Sequence, residues 1–464
     1  MAEVMQLRPT RKKAPAAGGA QDDDDVRQVV EALNERYAFV LVGSNAAIID
    51  KRRISETGEV EPGFIKVAAF KELHGNRYCR VVNRKGEEDW RPWSLVWLGS
   101  PERETYHGVT ICPDHARVPP EYYNLWQGFS VEPRAEGSWS LLHEHMLQNV
   151  CGGDQDLFRW LFAWFAQMFQ DPMHKPGTAI AMRGRQGSGK SKTGEIMGSL
   201  LMRHYKQVDA PNHTTSNFNA HLYGVVLLQA DEAFWAGEKS ALGRLKGMVT
   251  SEWQMMEPKG VDATRVRNML HLLLTSNERW MVPAELDDRR WAVFDVGDGR
   301  RRDVKFFRAM DDQMDSGGRE RLLYDLLNFD HSGVNLRDPP VTAALVDQKI
   351  EGLDDVAQWW YECLMRGTIE TGDHGFWPDG SGIASARVYD AYLAEQKRLN
   401  SRARRSVETR VGRDLRRLCP RLTTQRVMVD SGKRVTTMVF PQLWEARAAF
   451  EQLLGRCIDW PPDD

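Results

Sequence analysis

Long apolar runs are missing from this chain. No stretch reaches the roughly 20 residues that cross a bilayer as a helix, and the first residues carry no secretory apolar core. The expectation is a cytosolic protein with no membrane partner. An excess of charge is missing too: Lys and Arg total 62 against 65 Asp and Glu, a net charge of −3. No global field therefore draws the chain to nucleic acid, although a local basic patch stays open. Cysteine is scarce and scattered. Cys79, Cys112, Cys151, Cys363, Cys419 and Cys457 form no C-x-x-C pair. Cys112-Pro113-Asp114-His115 has ligand-like spacing without a second half, so a structural cysteine beside a turn is expected rather than zinc, with free thiols in a reducing compartment. What remains is ordinary for globular protein, 42% hydrophobic and 27% charged, on a length that suits about three domains. Sixteen tryptophans are many, and cores are their expected place.

One stretch carries a specific chemistry. Gly184-Arg185-Gln186-Gly187-Ser188-Gly189-Lys190-Ser191 fits G-x-x-x-x-G-K-[ST], the phosphate-binding loop. The apolar run 178–182 before it reads as a buried strand, and 191–201 after it reads as a helix. Glycines let backbone N–H groups crowd round anionic oxygens, and a helix N-terminus adds partial positive charge. Gly184, Gly187, Ser188, Gly189, Lys190 and Ser191 are thus expected to bind ATP, with Lys190 at the β- and γ-phosphates and Ser191 on Mg²⁺.

Further strand ends follow at suitable spacing. The apolar run 225–230 ends in Asp231-Glu232, 41 residues beyond Lys190. Asp231 is expected to bind Mg²⁺, directly or through water, and Glu232 to orient and deprotonate an attacking water. A third apolar strand, 271–276, should lie between the other two and ends at Asn277. Asn277 either reads the γ-phosphate or sits in an ordinary strand-end turn. Arg289 and Arg290 either offer a cation to a neighbouring subunit's phosphate or pair with Asp287 and Asp288 on the surface.

The C-terminal third holds a charge contrast. Between Lys397 and Arg434 there are thirteen Lys/Arg against three Asp/Glu. Residues 407–418 read as a helix with Arg410, Arg413, Arg416 and Arg417 round its polar side, and 426–440 as a β-hairpin carrying Lys433 and Arg434. Helix, helix, hairpin is a winged-helix pattern, and Arg410, Arg413, Arg417, Lys433 and Arg434 suit phosphate contact; the alternative is a solvated basic face.

The ordered motifs, namely the phosphate loop, Leu228-Gln229-Ala230-Asp231-Glu232, Leu273-Leu274-Thr275-Ser276-Asn277 and Arg289-Arg290-Trp291, resemble superfamily 3 helicases. The resemblance is closer to the phage and plasmid primase-helicase group, relatives of the poxvirus-type primase-helicases. It extends to residues 245–250, 256–262 and 275–283 and covers about 120–300. It implies AAA+-like ATPase domains in a hexameric ring threaded by single-stranded or forked DNA, with ATP at subunit interfaces. It also implies a hairpin projecting into the channel. Lys259 in Pro258-Lys259-Gly260 matches the hairpin's basic tip, and is otherwise a solvated turn. Lys246 is a second DNA-contact candidate. Relatives often carry a primase upstream. Too little sequence precedes 120 for one, and no matching acidic pair is seen there, so a separate primase is the expected partner.

The expected fold class is α/β: a P-loop NTPase core, AAA+-like by the resemblance, with an α+β accessory region and a C-terminal winged-helix-like domain. The expected divisions are a disordered tail 1–25, the accessory region 26–130, a helical lead-in 131–175, the ATPase core 176–300, a helical region 301–371 and the winged-helix-like domain 383–456. The expected function is an ATP-dependent DNA helicase or translocase in replication of a phage or mobile element, in host cytoplasm. Two alternatives stand beside it: a DNA-packaging or remodelling ATPase, and a replication initiator that uses ATP as an assembly switch.

Overall fold

The computed structural model describes residues 21–42, 45–54, 63–82, 87–126, 128–209, 222, 224–231, 239–256, 264–369, 377–378, 380, 382–398, 407–428 and 433–462. The chain divides into two compact units, the first holding residues up to 127 and the second residues 128–258 and 265–464.

The first unit runs α1 (Gln21–Asn34), β1 (Tyr37–Val42), β2 (Asn45–Asp50), β3 (Gly63–Lys66), α2 (Val67–Leu73), β4 (Tyr78–Val82), β5 (Glu88–Pro92), α3 (Trp93–Gly99) and β6 (Thr105–Tyr106), then β7 (Gly108–Thr110) and β8 (Tyr122–Asn124). Its main sheet has the order β3-β2-β1-β6. Val30, Leu33, Tyr37, Ile48, Phe70 and Trp97 form the core between sheet and helices.

The second unit opens with α4 (Ser140–Glu144), which runs into a π-turn over His145–Val150, and then α5 (Gln155–Gln170). Next come β9 (Ala179–Arg183), α6 (Lys192–Ser199), β10 (Tyr205–Val208), β11 (Leu227–Asp231), α7 (Lys239–Thr250), β12 (Trp253–Met256), β13 (Thr264–Arg267), β14 (His271–Ser276) and β15 (Trp291–Asp295). Strands β10-β11-β14-β9-β15 form one sheet, parallel throughout. Its strands read as near-continuous apolar runs because helices cover both faces, and every residue of β14 is buried. Strand β14, which leads to Asn277, lies between β9, which leads to the glycine loop, and β11, which ends at Asp231, the place expected from the sequence. Register aligns the strand ends: Ser276 sits opposite Arg183, and Thr275 opposite Asp231. Parallel strands of equal reach bring their carboxyl ends to one edge, where α/β folds place ligands.

Helix α6 packs hard on that sheet. A Cβ on Gly194 would lie 2.1 Å from Gln229 Oε1 and 2.4 Å from Leu273 Cδ2, so only glycine allows the approach.

Beyond the sheet come α8 (Val304–Gln313), α9 (Arg319–Asn328), α10 (Ala343–Glu351), α11 (Asp355–Arg366), β16 (Gly382–Ala384), α12 (Ser385–Arg398), α13 (Glu408–Leu418), β17 (Thr423–Met428), β18 (Arg434–Val439) and α14 (Leu443–Leu454). Strands β16-β18-β17 form an antiparallel sheet. Helix α11, which the sequence reading put in the helical region 301–371, belongs to the core of this C-terminal part. Its Asp354 cap accepts from the N–H groups of Val356 and Ala357. Its Trp359, Trp360 and Cys363 pack with Tyr392 of α12, Val411 and Leu415 of α13, Met438 of β18 and Phe450 of α14. The order is thus helix, strand, two helices and hairpin. Most of the break at 372–382 lies outside the described residues.

Candidate functional site

The loop between β9 and α6 turns on two glycines in the left-handed region, Gly187 (φ +80°) and Gly189 (φ +85°). That backbone alternation makes a concave nest of N–H groups. Among the described residues, the N–H groups of Gly187, Gly189 and Lys190 have no hydrogen-bond acceptor in the chain. Lys190 is nearly buried, and its Nζ donates to Asn277 Oδ1 at 2.6 Å.

Asp231 stands at the same edge among donors. Ser191 Oγ donates to its Oδ1 at 3.3 Å, and the Thr275 hydroxyl donates to the same oxygen. Gln229 Nε2 reaches it at 3.1 Å, and Gln207 holds the other oxygen. Tyr205 OH in turn donates to Gln229 Oε1 at 2.9 Å. A hydroxyl and a carboxylate converging on one point are hard oxygen donors of the kind Mg²⁺ takes alongside phosphate oxygens and water. Among the described residues no cluster of three or more His, Cys, Asp or Glu forms a metal site by itself. The unaccepted N–H groups and the Ser191–Asp231 pair together fit a triphosphate with Mg²⁺.

The loop is backed by residues with no sequence motif. His145, on the π-turn, lies with Nε2 3.1 Å from Gly189 O, and Asn149 Nδ2 donates to Ser188 O at 2.9 Å. Burial holds His145 below its ordinary pKa, so the ring is neutral and carries its proton on the nitrogen facing the carbonyl. The segment after β15 supplies two more donors: the Arg302 N–H to Gly187 O at 2.8 Å and Arg301 Nε to Gln186 O at 3.3 Å. Arg302 holds a left-handed φ of +60°, uncommon for a residue with a Cβ. The run Asp298-Gly299-Arg300-Arg301-Arg302 right after a strand was a readable signal for these arginines; His145 and Asn149, four apart in an apolar segment, gave none. A cavity of about 570 Å³ opens beside the loop, lined by Gly187, Gly189, Ser191, Phe307, Arg308 and Asp311. Glu195 lines it too; burial raises its pKa above the usual carboxylate value, Asp231 and Asp311 add to this, and Lys192 opposes it.

The remaining predicted site residues are distributed as follows. Arg290 forms a two-pronged bond to Asp288, Nη2 to Oδ2 at 2.6 Å and Nε to Oδ1 at 2.9 Å, and the Asp288 side chain is fully buried. Arg289 is exposed, and among the described residues it makes no hydrogen bond or ion pair. Lys246 Nζ pairs with Glu285 Oε1 at 2.7 Å. Arg410 and Arg413 both reach Asp414, and Arg417 lies 4.0 Å from Asp354. Lys433 and Arg434 are exposed at the start of β18. Glu232 and Lys259 lie outside the described residues, although the β12–β13 stem on either side of Lys259 is a two-stranded sheet. No helix among the described residues is long and apolar enough to cross a membrane.

Known proteins bear on this arrangement. A family model described as a family of unknown function (DUF5906) matches residues 182–290, the span from the loop strand to Arg290. The DNA primase-polymerase of Nitratiruptor phage NrS-1 is 24% identical over 155 residues, which is 33% of this chain and 21% of that protein, so the match spans about a fifth of the relative's length. Two apo structures of the NrS-1 C-terminal region superpose with a TM-score of 0.62 each, at 16% and 15% identity. They cover 90% and 89% of this chain and 99% of each solved chain. At such identities the likeness is one of fold: this mixed α/β chain with its parallel sheet has the fold of the NrS-1 C-terminal region.

Proposed function

We propose that this chain is an ATP-dependent DNA helicase or translocase acting in phage DNA replication, built on a P-loop core of the AAA+ kind. The observation that carries the reading is the meeting of Lys190, Ser191, Asp231, Thr275 and Asn277 at the carboxyl edge of one parallel sheet. The similarity to a phage DNA primase-polymerase supports the replication setting. The chain's own residues divide the work. The N–H groups of Gly187, Gly189 and Lys190, with the Lys190 ammonium, hold phosphate oxygens. Ser191 and Asp231 hold Mg²⁺, which when bound supplies positive charge to the phosphates. Glu232 takes the proton of the attacking water, and Asn277 orients that water or the γ-phosphate. Arg289 serves the site of the next subunit in a hexameric ring. Lys259 and Lys246 contact the DNA strand; Arg410, Arg413, Arg417, Lys433 and Arg434 contact phosphates through the C-terminal domain; a separate primase supplies primers.

ATP turnover with and without single-stranded DNA, and strand displacement on a forked duplex, test this. Lys190→Ala is expected to lower turnover by about a hundredfold or more. DNA-stimulated turnover that survives this change overturns the reading. Turnover without displacement points to a packaging or remodelling ATPase, and nucleotide binding without turnover to an assembly switch.

A further inference from the structure

Four successive carbonyls of the loop face donors outside it. Gln186 O accepts from Arg301 Nε, Gly187 O from the Arg302 N–H, Ser188 O from Asn149 Nδ2, and Gly189 O from His145 Nε2 as well as from the Lys192 N–H at the start of α6. A trans peptide points its C=O and the following N–H in opposite directions. Tying Ser188 O to Asn149 therefore aims the Gly189 N–H away from Asn149, and tying Gly189 O to His145 aims the Lys190 N–H away from His145. The same relation links Gln186 O to the Gly187 N–H. Among the described residues, none of these three N–H groups has an acceptor in the chain.

The backing is rigid. His145 is 1% exposed and Asn149 4%. The His145 ring stands edge-on to Phe307, with centroids 5.5 Å apart. A Cβ on Gly189 would lie 2.7 Å from His145 Cε1 and 2.5 Å from Phe307 Cζ. The Asn149 carbonyl also takes the Gly297 N–H at 2.7 Å, which ties the π-turn to the end of β15. A π-turn spreads the side chains of a helix out of their usual register, and such turns recur at functional sites. Here it lets His145 and Asn149 reach adjacent carbonyls of a single loop.

We propose that His145 and Asn149 are positioning residues: they hold the Ser188–Gly189 and Gly189–Lys190 peptides in the one orientation that presents two N–H groups to an anion. Neither residue touches the phosphate; each acts by blocking a peptide flip that would turn a carbonyl toward it. The proposal rests on the reading of this loop as a triphosphate site.

The test measures affinity of the full-length chain for a fluorescent ATP analogue, and the melting temperature without nucleotide, for the wild type and four variants. Asn149→Asp keeps the shape and puts an acceptor against the Ser188 carbonyl. His145→Leu removes the donor, and His145→Gln restores an N–H. Arg301→Ala, at an exposed position, carries no folding risk. Asn149→Asp and His145→Leu are expected to weaken binding by about tenfold to a hundredfold, the range for misplacing donors to a charged group. Arg301→Ala is expected to weaken it less, and His145→Gln to recover most of the loss at a melting temperature no higher than that of His145→Leu. Equal affinities for His145→Leu and His145→Gln, or wild-type affinity in Asn149→Asp, overturn the positioning role while leaving the triphosphate site intact. A wild-type chain that binds no nucleotide overturns the triphosphate reading and this proposal with it.

Discussion

Single side chains decide how this fold responds to pH and to loss of charge. His204 and His271 are buried within the parallel-sheet domain. Burial pushes the His204 pKa down to about 4, with Arg203 adding to it, and the His271 pKa down to about 3, with Lys175 adding to it. The folded state keeps both rings neutral, while the unfolded chain takes up protons below about pH 6.5. Their contribution is therefore whole above that pH and is lost as pH falls toward 4. The urea midpoint is expected to drop between pH 7.5 and pH 5, and His204→Gln to flatten the drop; an unchanged midpoint across that range refutes the assignment. Arg290 poses a contrasting case. Its guanidinium is the partner of a fully buried carboxylate, so Arg290→Ala is expected to cost about 3 kcal/mol or more of stability by leaving Asp288 unpaired. Arg289→Ala, at an exposed position, is expected to cost less than about 0.5 kcal/mol. Chemical denaturation of the two variants separates these outcomes.

At the scale of elements, two helical glycines predict opposite signs. Gly194 on α6 meets Gln229, which Tyr205 and Asp231 hold in place and which cannot give way. Gly194→Ala should destabilise by about 1–3 kcal/mol, because overpacking outweighs the gain of up to about 1 kcal/mol in helix propensity. Among the described residues nothing lies within 4 Å of where a Cβ on Gly243 of α7 would go, so Gly243→Ala should stabilise by about 0.5–1 kcal/mol. Thermal melts with the same sign for both would contradict the packing argument. The C-terminal domain separates its cations in a similar way. Arg410 and Arg413 are occupied by Asp414, whereas Lys433 and Arg434 at the start of β18 are exposed. Charge reversal at Lys433 and Arg434 together should make the salt dependence of DNA binding shallower by about 2 in log–log slope, while ATP turnover without DNA stays unchanged. A slope that does not move removes the β17–β18 hairpin from the proposed DNA contacts.

At the scale of the whole molecule, the proposed function has the site completed by another copy. Lys190 and Asp231 belong to one sheet edge, and Arg289 is exposed with no bond among the described residues. If Arg289 acts across an interface, Lys190→Ala and Arg289→Ala chains each lack a different half of a shared site. Mixing the two should recover part of the ATP turnover that each has lost, through interfaces where an intact loop meets an intact arginine. No recovery, from chains that still co-assemble by light scattering, would place every reacting group within one subunit.

The loop Gly184–Ser191, the strand end at Asp231, the place of β14 between β11 and β9, and the helices after the sheet were all legible, because each is written in residues close together along the chain. Glycine spacing, apolar runs and a carboxylate at a strand end are local patterns, and parallel strands of equal length bring such ends to one edge. The helix, helix, hairpin order of the C-terminal part was also read locally, but the helix α11 that packs with it was not recognised as part of it. The amphipathic stripe with Trp359 and Trp360 says that α11 packs, and only the core it enters says against what. That Arg290 pairs with a carboxylate that is buried, and not on the surface as the sequence reading had it, is seen only in the structure. His145 and Asn149 were invisible for the same reason: they lie some 40 residues before the carbonyls they bind, 44 in one case and 39 in the other. Sequence alone determined the residues that meet at the sheet edge, Lys190, Ser191, Asp231 and Asn277, since each stands in a local pattern of short spacing. Tertiary structure decided which side chains back the loop, since a hydrogen bond across a fold has no period to read.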